Sequence, residues 1–207
     1  MKKTISRATI DRLPLYFRTL RLAEAEDTEI ISSDELGRRL DITPEQIRKD
    51  LATFGQFGKK GIGYDVHELR ERISNILGLQ NHWRLAIVGV GHLGGALANY
   101  VNFAPMGFSV VALFDNSRKL VGKKINSLTV NNVASLKKIV AELEVDIGVI
   151  TVPASEAQGV ADLLVAAGIK GIWNFAPIKL DVPPEVPLVN EDLSVGLSAL
   201  SYHMSQE

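Results

Sequence analysis

The 207-residue sequence contains no cysteine. Disulfide bonds, cysteine-ligated zinc sites and iron–sulfur clusters are therefore excluded. Only four histidines occur, His67, His82, His92 and His203, and their scatter gives no reason to expect a metal site. No apolar run exceeds about eight residues, far short of the roughly 20 that span a bilayer, and the N-terminus lacks the apolar core of a secretory signal. We therefore expect a cytoplasmic protein with neither a metal nor a membrane partner.

Charge of neither sign dominates. The sequence has 23 Lys and Arg against 24 Asp and Glu, and 46% of its residues are hydrophobic, as in an ordinary globular protein. The basic residues are unevenly placed, however. Residues 1–23 carry six of them against one acid, and residues 46–64 carry four against one. These two segments are candidate phosphate-binding surfaces.

The hydrophobic pattern changes character near residue 80. Residues 1–80 have helical periodicity, whereas residues 84–190 alternate strands and helices, and residues 191–207 form one more helix. This pattern predicts an α/β protein with an N-terminal winged helix-turn-helix domain, a Rossmann dinucleotide-binding domain and a C-terminal helix.

The winged-helix prediction rests on the capping and turn residues between short helices. A helix over 8–26 is followed by a short one that Ser32 or Ser33 can cap, and then by Thr43-Pro44, which is a typical helix start. A basic glycine loop over 58–64 comes next, and a further helix from Asp65 ends at Gly78. The alternative is a small helical domain with a solvated charged face.

The helix from Thr43 would be the recognition helix. If Ile47, Leu51 and Phe54 face inward, then Lys49, Ala52 and Thr53 face outward, and Gln46 and Arg48 flank them. These polar and basic side chains can reach base edges or phosphates. Asp50 falls near the buried face, so we expect it to be an internal ion-pair or capping partner.

A glycine motif marks the start of the second half. The apolar strand over 84–89 leads into Gly89-Val90-Gly91-His92-Leu93-Gly94, then a helix, then a strand that ends at Asp115. In such a motif the first glycine allows the tight turn, the second lets the backbone approach the pyrophosphate, and the third lets helix and strand pack closely. The carboxylate of Asp115 would accept hydrogen bonds from the ribose, which favours NAD(H) over NADP.

Later strand ends supply further candidates. One strand ends in Thr151-Val152-Pro153, and because ligands bind outside the carboxyl ends of parallel strands, Thr151 and Pro153 are expected at the same crevice. At the end of the chain, Leu193, Leu197, Leu200 and Met204 recur at helical spacing. This terminal helix packs either on its own domain or on a second subunit.

Taken together, these motifs resemble the Rex family of bacterial redox-sensing repressors over nearly the whole chain. The stretches that carry the resemblance are Arg12-Leu13-Pro14-Leu15-Tyr16, Arg48-Lys49-Asp50-Leu51, the wing from Phe54 to Tyr64, the glycine motif, Thr151-Val152-Pro153 and the stretch from Gly168 to Pro177. The resemblance implies a homodimer that binds a palindromic double-stranded operator, with NAD⁺ permitting DNA binding and NADH releasing the DNA. It also implies that the C-terminal helix is exchanged between subunits.

The resemblance extends to individual residues. Cofactor contacts are implied for Gly89, Gly91, His92, Leu93, Gly94, Tyr100, Asp115, Thr151, Pro153 and Asp192. DNA contacts are expected from Gln46, Arg48, Lys49 and Thr53 in the helix and from Lys59, Lys60, Gly61 and Tyr64 in the wing. Arg18, Tyr100 and Asp192 match residues that couple the two domains in this family.

Two other functions fit the glycine motif. An NAD-dependent dehydrogenase would use it equally well, but the dinucleotide domain takes about 105 residues and leaves no segment for a substrate domain. No His–Asp or Lys–Tyr pair suggests hydride transfer, so we expect no catalytic residue. A coenzyme A-binding module shares the glycine-rich turn, although Asp115 fits it less well.

Overall fold

The chain forms two compact units, residues 1–81 and 82–207. The structure, a computed structural model, describes residues 5–58 and 61–205. None of the helices in these ranges combines the length and the apolar character that a membrane crossing requires.

The first unit is helical with one small hairpin-like sheet. Its helices are α1 (Arg7–Ala25), α2 (Ser33–Leu40), α3 (Pro44–Ala52) and α4 (Val66–Leu77). Strand β1 (Ile30–Ile31) pairs antiparallel with β2 (Tyr64–Asp65), so the glycine loop before β2 is tied back to the segment before α2. This order of elements is that of a winged helix-turn-helix.

Side-chain caps fix where these helices begin. The hydroxyl of Ser32 accepts from the Glu35 N–H at the start of α2, and Thr43 accepts from the Gln46 N–H at the start of α3. Asp65 does the same for α4, which ends at Gly78 in the left-handed conformation. The predicted starts are therefore confirmed, and α3 ends at Ala52.

A buried carboxylate connects α1 to α3. Asp50 is 1% exposed, and it is the only charged side chain in the described residues that is buried. Arg12 donates to it through Nε and Nη2, at 2.6 and 2.7 Å, and Tyr16 donates through Oη at 2.6 Å. Burial alone would raise the pKa of Asp50, but these hydrogen bonds, the one from Gln46 and the charge of Arg12 hold the pKa at about 2. The expected internal role of Asp50 is confirmed.

The second unit is a seven-stranded sheet. Its strands are β3 (Trp83–Val88), β4 (Phe108–Asp115), β5 (Lys124–Ile125), β6 (Leu128–Asn132), β7 (Ile147–Ile150), β8 (Gly171–Asn174) and β9 (Leu188–Asn190). They lie in the order β5-β6-β4-β3-β7-β8-β9, with all neighbours parallel except β5 and β6. Without the β5 edge, this is the strand order of a Rossmann fold. The predicted fold class is correct.

Helices cover the sheet and complete its core. They are α5 (His92–Ala98), α6 (Leu136–Glu142) and α7 (Ala154–Ala166). The larger apolar cluster packs Leu136 and Val140 of α6 and Leu164 of α7 against the buried strand residues Val88 and Phe114. The Cβ of any residue other than glycine at position 148 would lie 2.6 Å from a Leu164 methyl carbon, so Gly148 lets α7 approach the sheet.

The last helix, α8 (Leu193–Met204), contains no buried residue. The exposed fractions of its apolar stripe range from 53% at Leu200 to 69% at Leu197. A 12-residue helix is marginal in water without tertiary packing. Since its apolar stripe is exposed, α8 has no packing partner for this face in the described part of the chain.

We predict that Asp50→Asn lowers the free energy of unfolding of the first unit by about 3 kcal/mol at neutral pH, because Arg12 loses a buried ionic partner. Both tryptophans, Trp83 and Trp173, lie in the second unit, so helical circular dichroism during urea unfolding is the suitable measurement. Asp34→Asn, at an exposed position in the first turn of α2, is the matched control and should cost about 0.5 kcal/mol. Equal losses in the two variants would contradict the prediction.

The same carboxylate predicts an acid dependence. Because the folded pKa of Asp50 is about 2 and its ordinary value is 3.8, its stabilisation is complete above the ordinary value and disappears as the pH falls towards the folded one. Wild type should therefore lose more stability than Asp50→Asn over that acid range. The measurement is the same urea titration repeated at acid pH, and parallel losses would show that Asp50 is not the group responsible.

Candidate nucleotide site and DNA-binding helix

The nucleotide motif lies where the strand order of the sheet reverses. The adjacent strands β3 and β7 are connected to opposite halves of the sheet, and they end side by side at Val88 and Ile150. A crevice opens at such a point because the connections on its two sides run in opposite directions. Gly89 and Thr151, the next residues after the two strands, therefore lie side by side at the candidate site.

Two positions of the motif require glycine, Gly89 because of its backbone angle and Gly94 because of steric contact. Gly89 has a φ of +93°, which L-residues rarely adopt. A Cβ on Gly94 would lie 2.0 Å from the carbonyl oxygen of Gly89 and 2.7 Å from Oγ1 of Thr151. Any side chain at position 94 would therefore push α5 away from the end of β3.

Gly91 is a glycine for a different reason. A Cβ there would meet no atom within 4 Å, and its φ of −66° suits any residue. The protein itself therefore does not require a glycine at this position. The open space beside Gly91 is where a pyrophosphate would approach the backbone, which is the reason expected from the sequence.

The donors at this turn are backbone N–H groups. Gly91 is the N-cap of α5 and has no side chain to cap the helix, so the first N–H groups of α5 are left for a ligand. Because α5 has only seven residues, the N–H groups of the turn matter more here than a long helix dipole. An anion is the ligand that such a turn can satisfy.

Thr151 holds this turn in place. Its hydroxyl lies 2.6 Å from the carbonyl oxygen of Gly89 and 3.1 Å from that of Val88. The side chain was expected at the crevice rim as a cofactor contact. Its hydrogen bonds tie the end of β7 to the glycine turn, and the residue forms part of the wall of the cleft.

Asp115 ends β4 beside the turn. Its Oδ2 accepts the Val90 N–H at 2.9 Å and its Oδ1 accepts the Ser117 N–H at 2.7 Å. Each carboxylate oxygen has two acceptor sites, so one site on each remains for ribose hydroxyls. The two backbone bonds fix the orientation of the carboxylate before any ligand binds.

These residues border a cleft of about 280 Å³, close to the lower end of small-molecule sites. Of the expected cofactor residues, the cleft brings together Gly89, Gly91, Asp115, Thr151 and Pro153. The cleft is also lined by Asn116, Ser117, Val133 and Glu156, which were not predicted from the sequence. The position of Asn116 and Ser117 directly after a strand end was the available signal. The open glycine turn and the oriented carboxylate fit a dinucleotide.

Other expected cofactor residues lie outside this cleft. His92 and Tyr100 are exposed and Leu93 is half-buried. The ring of Tyr100 packs edge-on against Phe103, with centroids 4.9 Å apart. Asp192 is the N-cap of α8, where the N–H and the hydroxyl of Ser194 both donate to Oδ1 and lower the pKa of its carboxyl.

Helix α3, the expected recognition helix, carries two basic side chains, and they differ in their contacts. Lys49 is exposed. Arg48 donates to the Ser33 hydroxyl at 2.6 Å and to Glu45 at 2.9 Å, so two of the five N–H donors of its guanidinium already have partners within the first unit. The hydroxyl of Thr53 donates to the Lys49 carbonyl at the end of the helix.

The wing is described only in part. Lys59 and Lys60 lie outside the described residues, and Gly61 is exposed with a φ of +82°. Tyr64, which was expected to contact DNA, is 8% exposed, and burial raises its pKa. Its ring lies where a side chain on Gly58 would be, which indicates that Tyr64 packs the base of the wing.

The described residues contain no group of three or more His, Cys, Asp or Glu side chains placed to hold a metal ion.

Two family models match the chain. A model described as CoA binding domain matches residues 80–178, and one described as putative DNA-binding protein N-terminus matches residues 4–52. A curated relative from Syntrophobacter fumaroxidans, the redox-sensing transcriptional repressor Rex, is 47% identical over 202 residues, which cover 97% of this chain and 96% of the relative.

Solved structures of RSP, a Rex-family repressor, are similar over nearly the full length. The complex of RSP with β-NAD⁺ and operator DNA has a TM-score of 0.92 and 43% identity, and the match covers 99% of this chain and 94% of that one. The complex with β-NADH has a TM-score of 0.91 and 41% identity, with coverage of 99% and 96%.

Gly91→Ala and Gly94→Ala should change different properties: the first should weaken dinucleotide binding and the second should lower the folding stability. Gly94→Ala should lower the free energy of unfolding of the second unit by about 2 kcal/mol, because its Cβ would overlap the Gly89 carbonyl. Gly91→Ala should leave that stability nearly unchanged but weaken dinucleotide binding about tenfold or more, because the new methyl group occupies the space of the phosphates. Tryptophan fluorescence during unfolding and calorimetry with the nucleotide are the two measurements. Undiminished binding by Gly91→Ala would show that the ligand does not use this turn.

Proposed function

We propose that the chain, which belongs to the Rex family of redox-sensing transcriptional repressors, is a homodimeric repressor. In this proposal the dimer binds palindromic operator DNA and releases the DNA when NADH binds. The observation that carries this function is the near-full-length similarity to RSP, which forms complexes with NAD⁺ and operator DNA and with NADH.

The nucleotide site supplies binding and no chemistry. The N–H groups that begin at Gly91 receive the pyrophosphate, and Asp115 accepts hydrogen bonds from a ribose. Thr151 keeps the turn closed on β7. The nicotinamide ring, when bound, is the part whose charge differs between the two redox states.

NADH binds more tightly than NAD⁺ in this proposal. The oxidised ring is cationic and the reduced ring is neutral, and burying an unpaired cation is costly. An apolar pocket near Pro153, completed by Leu193 of a second subunit, favours the neutral ring. The carboxylate of Asp192 would reverse this preference if it faced the ring, so it must be engaged by other groups.

The first unit supplies the DNA contacts. Lys49 and Arg48 of α3 enter the major groove, and Lys59 and Lys60 of the wing contact phosphates or a narrow minor groove. The exposed position of Lys49 supports a direct role for this residue. Tyr64 is left out of this contact set because it is buried.

The dimer is completed through α8. Its apolar stripe is exposed along its whole length within the chain, and a helix of this kind is stable only when the stripe is covered. A second copy of the chain covers it when α8 is exchanged between subunits. The coupling from cofactor to DNA then runs through Asp192, Tyr100 and Arg18, and a change in the partner of Asp192 reports the redox state.

Two activities compete with this function for the same glycine turn. A dehydrogenase would oxidise alcohols or hydroxy acids with NAD⁺, and a coenzyme A-binding module would prefer coenzyme A, in keeping with the model matched over residues 80–178. We propose that the chain has no catalytic activity. An assay for NAD⁺ reduction and calorimetry with NADH and coenzyme A separate the three functions.

We predict that NADH, at saturation, weakens binding to the DNA upstream of the chain's own coding sequence by tenfold or more, a coupling of about 1.4 kcal/mol. NAD⁺ at the same occupancy should leave the DNA bound. Fluorescence anisotropy of a labelled duplex measures both titrations, and Gly91→Ala should need at least about tenfold more NADH for the same release. Equal effects of the two nucleotides would contradict redox sensing.

Leu197→Glu should convert the dimer to a monomer, because it places a charge in the apolar stripe of α8 that the partner must bury. The matched control is Ser198→Glu, which adds the same charge on another face of the same helix. Sedimentation velocity gives the mass of each variant. A dimer that survives Leu197→Glu would show that α8 does not form the interface.

A further inference from the structure

One residue of the recognition helix has a side chain whose orientation is set by the protein interior. Gln46 lies in the first turn of α3, two positions after Pro44, and it is half-buried. Its Nε2 donates to Oδ1 of Asp50 at 2.8 Å, one helical turn further on. In helix-turn-helix proteins the N-terminal residues of the recognition helix contact base edges.

The chemistry of Asp50 decides which end of the amide faces inward. Three side chains of α1 donate to the same carboxylate: Arg12 through two nitrogens, Tyr16 through its hydroxyl, and Thr9 through Oγ1 at 3.1 Å. An ionised carboxylate only accepts hydrogen bonds. The Gln46 amide must therefore present nitrogen to Asp50, and the reverse orientation would set the amide oxygen against a carboxylate oxygen.

The orientation of the amide nitrogen also determines which atom of Gln46 can contact DNA. With the nitrogen engaged by buried Asp50, the carbonyl Oε1 is the end of the half-buried amide that is left for another donor, and residues 5–58 and 61–205 show no hydrogen bond to Oε1. Base edges in the major groove differ in the donors they offer. Adenine N6 and cytosine N4 carry amino donors, whereas guanine and thymine present acceptors at the matching positions.

We infer that Gln46 is a specificity-determining residue that reads an amino group, adenine N6 or cytosine N4, through its carbonyl oxygen, and that Asp50 is the positioning residue that fixes this orientation. The inference rests on the proposed DNA-binding function and adds the chemical group on the operator that one side chain selects. Arg12, Tyr16 and Thr9 contribute indirectly, because they keep Asp50 ionised and in place.

The test uses the full-length chain and a duplex that wild type selects from random-sequence DNA. Each adenine of one half-site is replaced in turn by purine, which lacks the 6-amino group, and each cytosine by 2-pyrimidinone, which lacks the 4-amino group. We expect one such replacement to weaken wild-type binding about tenfold. Gln46→Ala should bind the natural duplex about tenfold more weakly and should no longer respond to that replacement.

A second set of analogues checks the orientation. Replacement of adenine or guanine by its 7-deaza form removes the N7 acceptor and leaves the amino or carbonyl group in place. If the Gln46-dependent loss appears with 7-deaza bases and not with bases that lack the amino group, the amide nitrogen faces the DNA and the inference is wrong. It is equally wrong if Gln46→Ala keeps the full wild-type discrimination at every position.

The role of Asp50 is tested by a pair of variants in its own network. Asp50→Asn frees the Gln46 amide to turn, and it should lose discrimination at the same base pair as Gln46→Ala. Tyr16→Phe removes a donor to the other oxygen, Oδ2, and should retain that discrimination even where overall affinity falls. Loss of discrimination in both variants would overturn the specific role of Asp50, because Tyr16 does not contact Gln46 or Oδ1.

If Asp50→Asn does not fold, the amide protons of Gln46 in wild-type protein give the same information. They should exchange more slowly in the nuclear magnetic resonance spectrum than those of exposed Gln56. Exchange as fast as at Gln56 would overturn the role of Asp50. A wild-type chain that binds every duplex alike would instead contradict the proposed function itself, a result distinct from loss of discrimination at one base pair.

Discussion

The second unit depends on how closely α5 approaches the end of β3. The approach brings position 94 so near the Gly89 carbonyl that only glycine fits, and the Thr151 hydroxyl closes the same turn from the neighbouring strand. Among the described residues, no side chain caps the start of α5 beside the open Gly91, so its first N–H groups remain for a ligand. Helix–strand packing thus produces a turn that suits an anion, and this turn is the candidate site for the dinucleotide.

In the first unit, a buried charge holds the short helix α3 in place. Helix α3 is short and mostly polar, and its buried face has only Ile47, Leu51 and Asp50. The carboxylate of Asp50 collects donors from α1 and from α3 itself, so it fixes the position of the helix more precisely than apolar contacts would. Burying a charge is costly unless it is paired, and here the pairing also engages the amide nitrogen of Gln46 on the same helix.

Local signals predicted much of this structure. The start of α3 at Thr43-Pro44 and the glycine turn could be read from the sequence because caps and turns depend on neighbouring residues. Strands β5 and β9, of two and three residues, were not predicted because such short edge strands carry too little periodicity.

Side-chain roles set by distant partners were harder to predict. Thr151 bonds to Gly89, 62 residues earlier in the chain, so its role in holding the turn has no local signature. The burial of Tyr64 was missed for a similar reason, since it follows from the pairing of β2 with β1 across the glycine loop. By contrast, the internal position of Asp50 was predictable from helical spacing, although its four partner residues were not.

The central claim is that one chain couples dinucleotide binding to DNA binding. Such coupling is reciprocal: whatever factor NADH removes from DNA affinity, DNA must remove from NADH affinity. The most direct measurement is therefore the NADH dissociation constant, taken by calorimetry on the dimer alone and on the dimer saturated with its selected duplex. The account predicts that DNA weakens NADH binding by the same factor as NADH weakens DNA binding. An NADH dissociation constant that is unchanged by DNA would contradict it.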